Sequence, residues 1–150
     1  MQRDYSFSTA RELCELWEPE RIAEDAVART VAHLGARKIA TTEVPVLFVP
    51  RAANSLFGHL VSAISGGNLY RKSSFLLDTL GKQIFPEWMQ IQELAHLKKG
   101  LASTPFDSEG VRTHDRLIID KGELQTYLLT SYAARKMGMQ STGHAGGIHN

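Results

Sequence analysis

Apolar residues recur at helical spacing in three parts of the chain. The first is residues 9–17 (TARELCELW). The second follows Pro19, which suits a first helical turn, and it ends at Gly35, which supplies a left-handed stop. The third is Ser55–Gly67 (SLFGHLVSAISGG), which carries a broad apolar stripe and ends on two glycines. These patterns predict three helices in the first part of the chain.

Strand-like patterns appear beside and after these helices. Val44–Val49 is a short apolar run between prolines, which is typical of a buried strand, and residues 88–94 (WMQIQEL) alternate weakly. The clearest signal is RLIIDKGELQTYLLT, in which Asp120-Lys121-Gly122 separates two apolar runs. Glycine stands where a tight turn needs a positive φ, so this stretch predicts a hairpin.

The last periodic segment is residues 131–138 (SYAARKMG), which predicts a short helix capped by Ser131 and stopped by Gly138. The order of elements predicts an α+β chain, with a helical segment followed by mixed α/β structure containing antiparallel hairpins. A length of 150 residues suits one domain or the junction of two.

Composition excludes several functional classes. The formal charge is +1, and basic residues alternate with acidic ones, so no basic stripe predicts nucleic-acid binding. No apolar run approaches the ~20 residues that a membrane span needs. The single cysteine, Cys14, excludes an internal disulfide and favours a cytoplasmic, reducing compartment.

Several histidines are candidate metal ligands, but their spacing in the sequence does not match that of known zinc motifs. A helical zinc site needs a second histidine four residues after the first and a glutamate beside it, but Leu60 and Ala63 follow His59 at these positions. His144 and His149 are close together, yet a pair is short of the three or four ligands of zinc sites. We therefore predict no metal ligand and no catalytic residue in this chain.

Polar segments between the elements supply other candidates. Asp107 and Glu109 could act as paired carboxylates, although the simpler interpretation is that Asp107 fixes a turn and Glu109 is solvated. Arg71 and Ser74 lie in YRKSS, which could engage a peptide carboxylate or serve only as a polar loop. Possible peptide or partner contacts are His59, Arg71, Ser74, His144 and His149.

Several long stretches together resemble one known family. These are LGARKIATTEVPVLFVP, LFGHLVSAISGGNLYRKSSFLLDTLGKQIF, GLASTPFDSEGVRT and LLTSYAARKMGMQSTGHAGGIHN, and they resemble the PmbA proteins, also called TldE. Members of this family are companion subunits of the TldD/TldE metalloprotease. The resemblance implies that residues 1–42 are the last helices of the N-terminal PmbA/TldD domain. Residues 43–150 would begin the C-terminal domain of a longer protein.

The resemblance also implies a function. TldD-type subunits carry an HExxxH zinc motif, whereas the corresponding stretch here, LFGHLVSAISGG, has His59 without the glutamate and second histidine. It implies a metal-free, substrate-enclosing subunit that forms a heterodimer with a zinc-bearing TldD-type subunit. The pair would cleave extended or unfolded peptides in the cytoplasm, in the maturation of modified peptides such as microcins or in antitoxin turnover.

Two alternatives to this role stay open. The first is a peptidase whose active site is built from residues of the longer protein that lie outside this 150-residue fragment. The second is a non-enzymatic module that binds or regulates peptides without a TldD-type partner.

Overall fold

A computed structural model of the protein describes residues 1–149. The chain divides into two compact units, Met1–Leu47 and the residues from Phe48 onward. This division lies near the predicted junction of two domains, although the assignment of each part to a PmbA/TldD domain stays a prediction. No helix among the described residues is long and apolar enough to cross a membrane.

The first unit contains one 3-10 turn, Leu13–Glu15, and helix α1, Pro19–Ala32. The prediction of a longer helix over residues 9–17 is wrong, because the single turn has no side-chain cap and buries no residue. Pro19 also keeps the preceding residue, Glu18, in an extended conformation with ψ 145°.

The second unit contains the remaining elements. These are α2 (Pro50–Ala63), α3 (Gly66–Tyr70), β1 (Ile91–Glu93), β2 (Arg116–Asp120), β3 (Glu123–Leu124) and α4 (Ser131–Met137). The strands form an antiparallel sheet in the order β1-β2-β3, and Lys121-Gly122 turns the chain between β2 and β3. The predicted α+β class and the predicted hairpin are therefore confirmed.

The predicted strand at Val44–Val49 is wrong. Among residues 1–149 it pairs with no other segment, and its side chains are exposed, for example 66% for Val46 and 93% for Leu47. A strand of this composition needs a neighbour that hydrogen-bonds to it, and Pro45 contributes no N–H. The run instead contains the boundary between the two units.

The two glycines of Gly66-Gly67 do not stop the third predicted helix. α2 ends at Ala63, and Gly66 begins α3, where a Cβ would lie 2.6 Å from Cβ of Ala133. Glycine is therefore needed for the close approach of α3 to α4. The backbone N–H of Gly66 also donates to the carbonyl of Leu128 at 2.8 Å.

Within the second unit, an apolar core joins α2, α3 and α4 to the sheet. Its fully buried members include Ile64, Leu69, Ile119, Leu124 and Leu129.

The prediction of Ser131 as the cap of α4 is wrong by one residue. The hydroxyl oxygen of Thr130 accepts the N–H of Ala133, while the N–H of Ser131 donates to Glu109.

Candidate functional site

Three side chains from distant parts of the second unit meet at the end of β1. They are Glu93, the last residue of β1, and His144 and His149 from the segment after α4. One ligand atom from each lies within 4.8 Å of the others. Glu93 and His144 are each 4% exposed, and His149 is half-buried.

Local structure explains why these residues converge. The alternation along β1 turns Glu93 inward, since only this residue of the strand is fully buried. The segment after α4 is tied back by Thr142, whose N–H donates to the Leu129 carbonyl at 3.1 Å while its hydroxyl accepts the Leu129 N–H at 2.7 Å. Gly143 then turns the chain with φ +76°, which favours glycine.

The carboxylate of Glu93 is surrounded by donors. It accepts from Nε2 of His144 at 2.9 and 3.0 Å and from the backbone N–H of His149 at 3.0 Å, and Nε of Arg116 lies 3.3 Å away. Burial alone would raise the pKa of Glu93. These hydrogen bonds and the charges of His144 and Arg116 outweigh burial and lower that pKa below its ordinary value of 4.5.

Hydrogen bonds also constrain the two imidazole rings. Nε2 of His149 lies 2.9 Å from the carbonyl oxygen of Gly143, and since a carbonyl only accepts, this nitrogen carries a proton. In the neutral ring, Nδ1 then offers the lone pair. Nδ1 of His144 lies 2.8 Å from the hydroxyl of Thr142, and the two rings stack with centroids 5.3 Å apart.

A second buried carboxylate, Asp107, supports the same segment. Its Oδ1 accepts the N–H groups of Glu109 and Val111, and its Oδ2 accepts the N–H of Ala145, all at 2.9 Å. Burial would raise the pKa of Asp107, but these three backbone donors and the charge of His144 lower it. The simpler interpretation holds for Asp107, which fixes a turn, whereas Glu109 binds the N–H of Ser131.

Replacing Asp107 with asparagine is expected to lower the free energy of unfolding by about 1–3 kcal/mol. The amide oxygen can keep two backbone donors, but its NH₂ group would face the N–H of Ala145. Urea denaturation measures the effect. The same change at the exposed residue Asp78, which has a φ of +57° that asparagine tolerates, is the matched control. Equal stabilities of the two variants would contradict the prediction.

The other sequence candidates lie around the junction of α2 and α3. The exposed imidazole of His59 and the side chain of Ser74 line one cleft of 190 Å³. The Ser74 hydroxyl donates to the Ala63 carbonyl at 2.6 Å and accepts the Leu76 N–H at 3.0 Å, so it holds the backbone. Exposed Arg71 donates to Asn68, which lines the same cleft.

The zinc of an HExxxH motif does not fit the region of His59. The positions that would hold the glutamate and the second histidine are Leu60 and Ile64. Both are buried in the apolar core, with exposures of 9% and 0%. This helix therefore presents one exposed imidazole, and the residues that it buries are Leu60 and Ala63.

Two open clefts flank the cluster of Glu93, His144 and His149. One cleft of 410 Å³ is lined by the Asp107–Ser108 turn and by the glycine-rich residues 145–149. The other, of 190 Å³, is largely apolar and includes Glu93. His149 lines both clefts and is the least buried member of the cluster, so a ligand reaches it most readily.

Comparison with known proteins places these features in a family. The family model of the PmbA/TldA metallopeptidase C-terminal domain matches residues 41–150. The chain is 58% identical over all 150 residues to Metalloprotease PmbA of Escherichia coli O157:H7. It spans 33% of the length of that relative.

Solved structures agree with this match. A putative modulator of DNA gyrase from Bacteroides thetaiotaomicron superimposes with a TM-score of 0.85 and 31% identity, covering 93% of this chain and 31% of that one. TldE from Thermococcus kodakarensis has a TM-score of 0.71 and 29% identity, covering 86% of this chain and 31% of that one. The family resemblance predicted from the sequence motifs is thus confirmed.

Proposed function

Because the chain belongs to the PmbA/TldD metallopeptidase family, we propose that it is the TldE-type subunit of a cytoplasmic TldD/TldE metalloprotease. In this proposal the protein forms a heterodimer with a zinc-bearing TldD-type subunit and encloses the peptide substrate. The substrates are extended or unfolded peptides, including modified peptide precursors such as microcins, and antitoxins.

One observation supports the proposal that the partner binds the catalytic zinc and that this chain encloses the peptide. The helix that resembles the zinc helix of TldD-type subunits has buried Leu60 and Ile64 where a zinc site needs a glutamate and a histidine. Zinc bound by the partner would activate the water that attacks the peptide bond. This chain would contribute surface that orients the peptide and excludes competing chains.

Exposed polar groups beside the clefts suit peptide or partner contacts. His59 and Arg71 present hydrogen-bond donors near the α2–α3 junction, and His149 presents its ring to both clefts beside Glu93. Ser74 and His144 would act through the backbone and side chains that they hold. β1 is an outer strand of the sheet among residues 1–149, so an extended peptide can add to it as a further strand.

A reconstitution experiment tests this function. The protein is expressed from its complete reading frame and assayed on an unfolded peptide, alone and with a TldD-type subunit. We expect a heterodimer and cleavage only in the mixture, and we expect cleavage to disappear when the glutamate of the partner's HExxxH is replaced by glutamine. Cleavage by the protein alone with stoichiometric zinc would contradict the proposal, and peptide binding that needs no partner would favour a non-enzymatic module.

A further inference from the structure

We propose that Glu93, His144 and His149 form a divalent metal site of the class that takes Zn²⁺, separate from the zinc that the partner would use for hydrolysis. Two imidazoles and one carboxylate are a donor set that zinc accepts, and they leave a fourth position for water or a ligand group. The sequence alone predicts a chain that binds no metal. Under this proposal the chain lacks only the catalytic zinc and binds a different metal ion.

The distances in the cluster are close to those of a metal site. Bonds of about 2.0–2.1 Å in tetrahedral geometry separate ligand atoms by roughly 3.4 Å. Nε2 of His144 lies 2.9 Å from Glu93, so a metal needs this pair to open by about half an ångström. One ligand atom from each of the three residues already lies within 4.8 Å of the others, so His149 has to approach by at most about 1.4 Å.

The hydrogen-bond partners of the three candidate ligand side chains provide an independent argument for a metal site. A histidine that binds a metal through one ring nitrogen normally donates the other N–H to a fixed acceptor, and a ligating carboxylate is normally hydrogen-bonded too. His149 donates from Nε2 to the Gly143 carbonyl, which leaves Nδ1 for a metal. Nδ1 of His144 meets the Thr142 hydroxyl, and Oε2 of Glu93 meets Arg116.

The Thr142 hydroxyl can serve as the acceptor behind His144. It has two carbonyl oxygens for its own proton, that of Tyr127 at 3.1 Å and that of Leu129 at 3.4 Å. Its oxygen can therefore accept from Nδ1 of His144 while it accepts the Leu129 N–H. With Nδ1 protonated, loss of the Nε2 proton exposes a lone pair that faces the Glu93 carboxylate.

The charges near the cluster limit the affinity without abolishing the site. Arg116 lies 3.3 Å from Glu93 and opposes a cation, but its side chain is 17% exposed and engages the oxygen Oε2, so Oε1 is the ligand atom. The metal ion displaces the proton between His144 and Glu93. The site therefore loses the positive charge of that proton when it gains the two positive charges of the ion. The carboxylate of Asp107, which senses the charge of His144, adds negative potential.

Metal titration of the partner-free protein tests this site. The untagged protein, expressed from its complete reading frame, is stripped with a chelator and titrated with Co²⁺ and with Zn²⁺. We expect one equivalent to bind, with the intense visible absorption of tetrahedral Co²⁺ that Zn²⁺ abolishes. His149→Ala is expected to weaken binding by about tenfold or more, because it removes one ligand, whereas His33→Ala at the exposed histidine that follows α1 leaves binding unchanged.

Two results would overturn the site. One is the absence of any stoichiometric binding to the unmutated protein, and the other is equal affinity of the unmutated protein and a folded His149→Ala variant. If His149→Ala does not fold, His149→Gln provides the same comparison. The experiment needs neither the partner nor a peptide, so its failure is distinguishable from failure of the reconstituted protease.

Discussion

Replacing Glu93 with alanine is expected to lower the free energy of unfolding by roughly 3 kcal/mol, because it removes one partner from a buried, charged network. The His144 side chain is 1% exposed and would lose the acceptor of its Nε2 group. The backbone N–H of His149 and the guanidinium of Arg116 would lose the same carboxylate. The stabilising effect of this network explains how the segment after α4 stays beside β1.

Equilibrium urea denaturation of the chelator-treated protein measures this effect without a contribution from bound metal. Glu87→Ala is the matched control, since Glu87 is exposed and its loss is expected to change stability by less than about 0.5 kcal/mol. A Glu93→Ala variant as stable as the control would contradict a structural role for the cluster.

The same network predicts a dependence on pH. The pKa of Glu93 is lowered in the folded chain, so its ionised form stabilises the fold above the ordinary value of 4.5. That contribution is lost as the pH falls from this value through the lower folded-state pKa. We expect the stability difference between the unmutated protein and Glu93→Gln to shrink in acid. The lowered pKa of Asp107 acts in both proteins and largely cancels in the difference.

The hairpin and the turn at Asp107 could be predicted from sequence because each depends on neighbouring residues. Gly122 at positive φ and the apolar runs on both sides are local signals. The acceptor pattern of Asp107 toward Glu109 and Val111 is local as well. The missed cap of α4 lies one residue from the predicted one, which is an ordinary uncertainty at helix ends.

Long-range pairing could not be predicted in the same way. Val44–Val49 has the composition of a strand, but composition does not reveal whether a neighbour hydrogen-bonds to it. Glu93 and His144 are 51 residues apart, and no motif joins them. The only signals were the weak alternation that turns Glu93 inward and the short interval between His144 and His149, and neither shows that these residues meet.

Replacing Gly122 with alanine is expected to be strongly destabilising, by roughly 3–5 kcal/mol, because two effects add. The first is backbone strain, since φ is +80° at this position. The second is steric, since a Cβ would lie 2.1 Å from the carbonyl oxygen of Phe85 and 2.8 Å from that of Pro86. Neither atom can move away without displacing the backbone.

That displacement would break hydrogen bonds that fix the hairpin to the preceding segment. The Gly122 carbonyl accepts from Ile84 and Phe85 at 2.9 and 3.0 Å, and its N–H donates to Met89 at 2.9 Å. Because β2 supports β1 and its last residue Glu93, the damage should extend to the cluster. Gly122→Ala is therefore expected to weaken Co²⁺ binding as well as stability.

Gly81→Ala separates backbone strain from steric overlap. Gly81 has a φ of +71°, but no atom beyond its two chain neighbours lies within 4 Å of the position that a Cβ would take. This control therefore carries only the left-handed strain of about 1–2 kcal/mol. Urea denaturation of both variants should show Gly122→Ala to be less stable than Gly81→Ala by about 2 kcal/mol or more, which is the cost of the hydrogen bonds. Equal losses would mean that the backbone at Phe85 yields freely, and that the hairpin does not depend on this close approach.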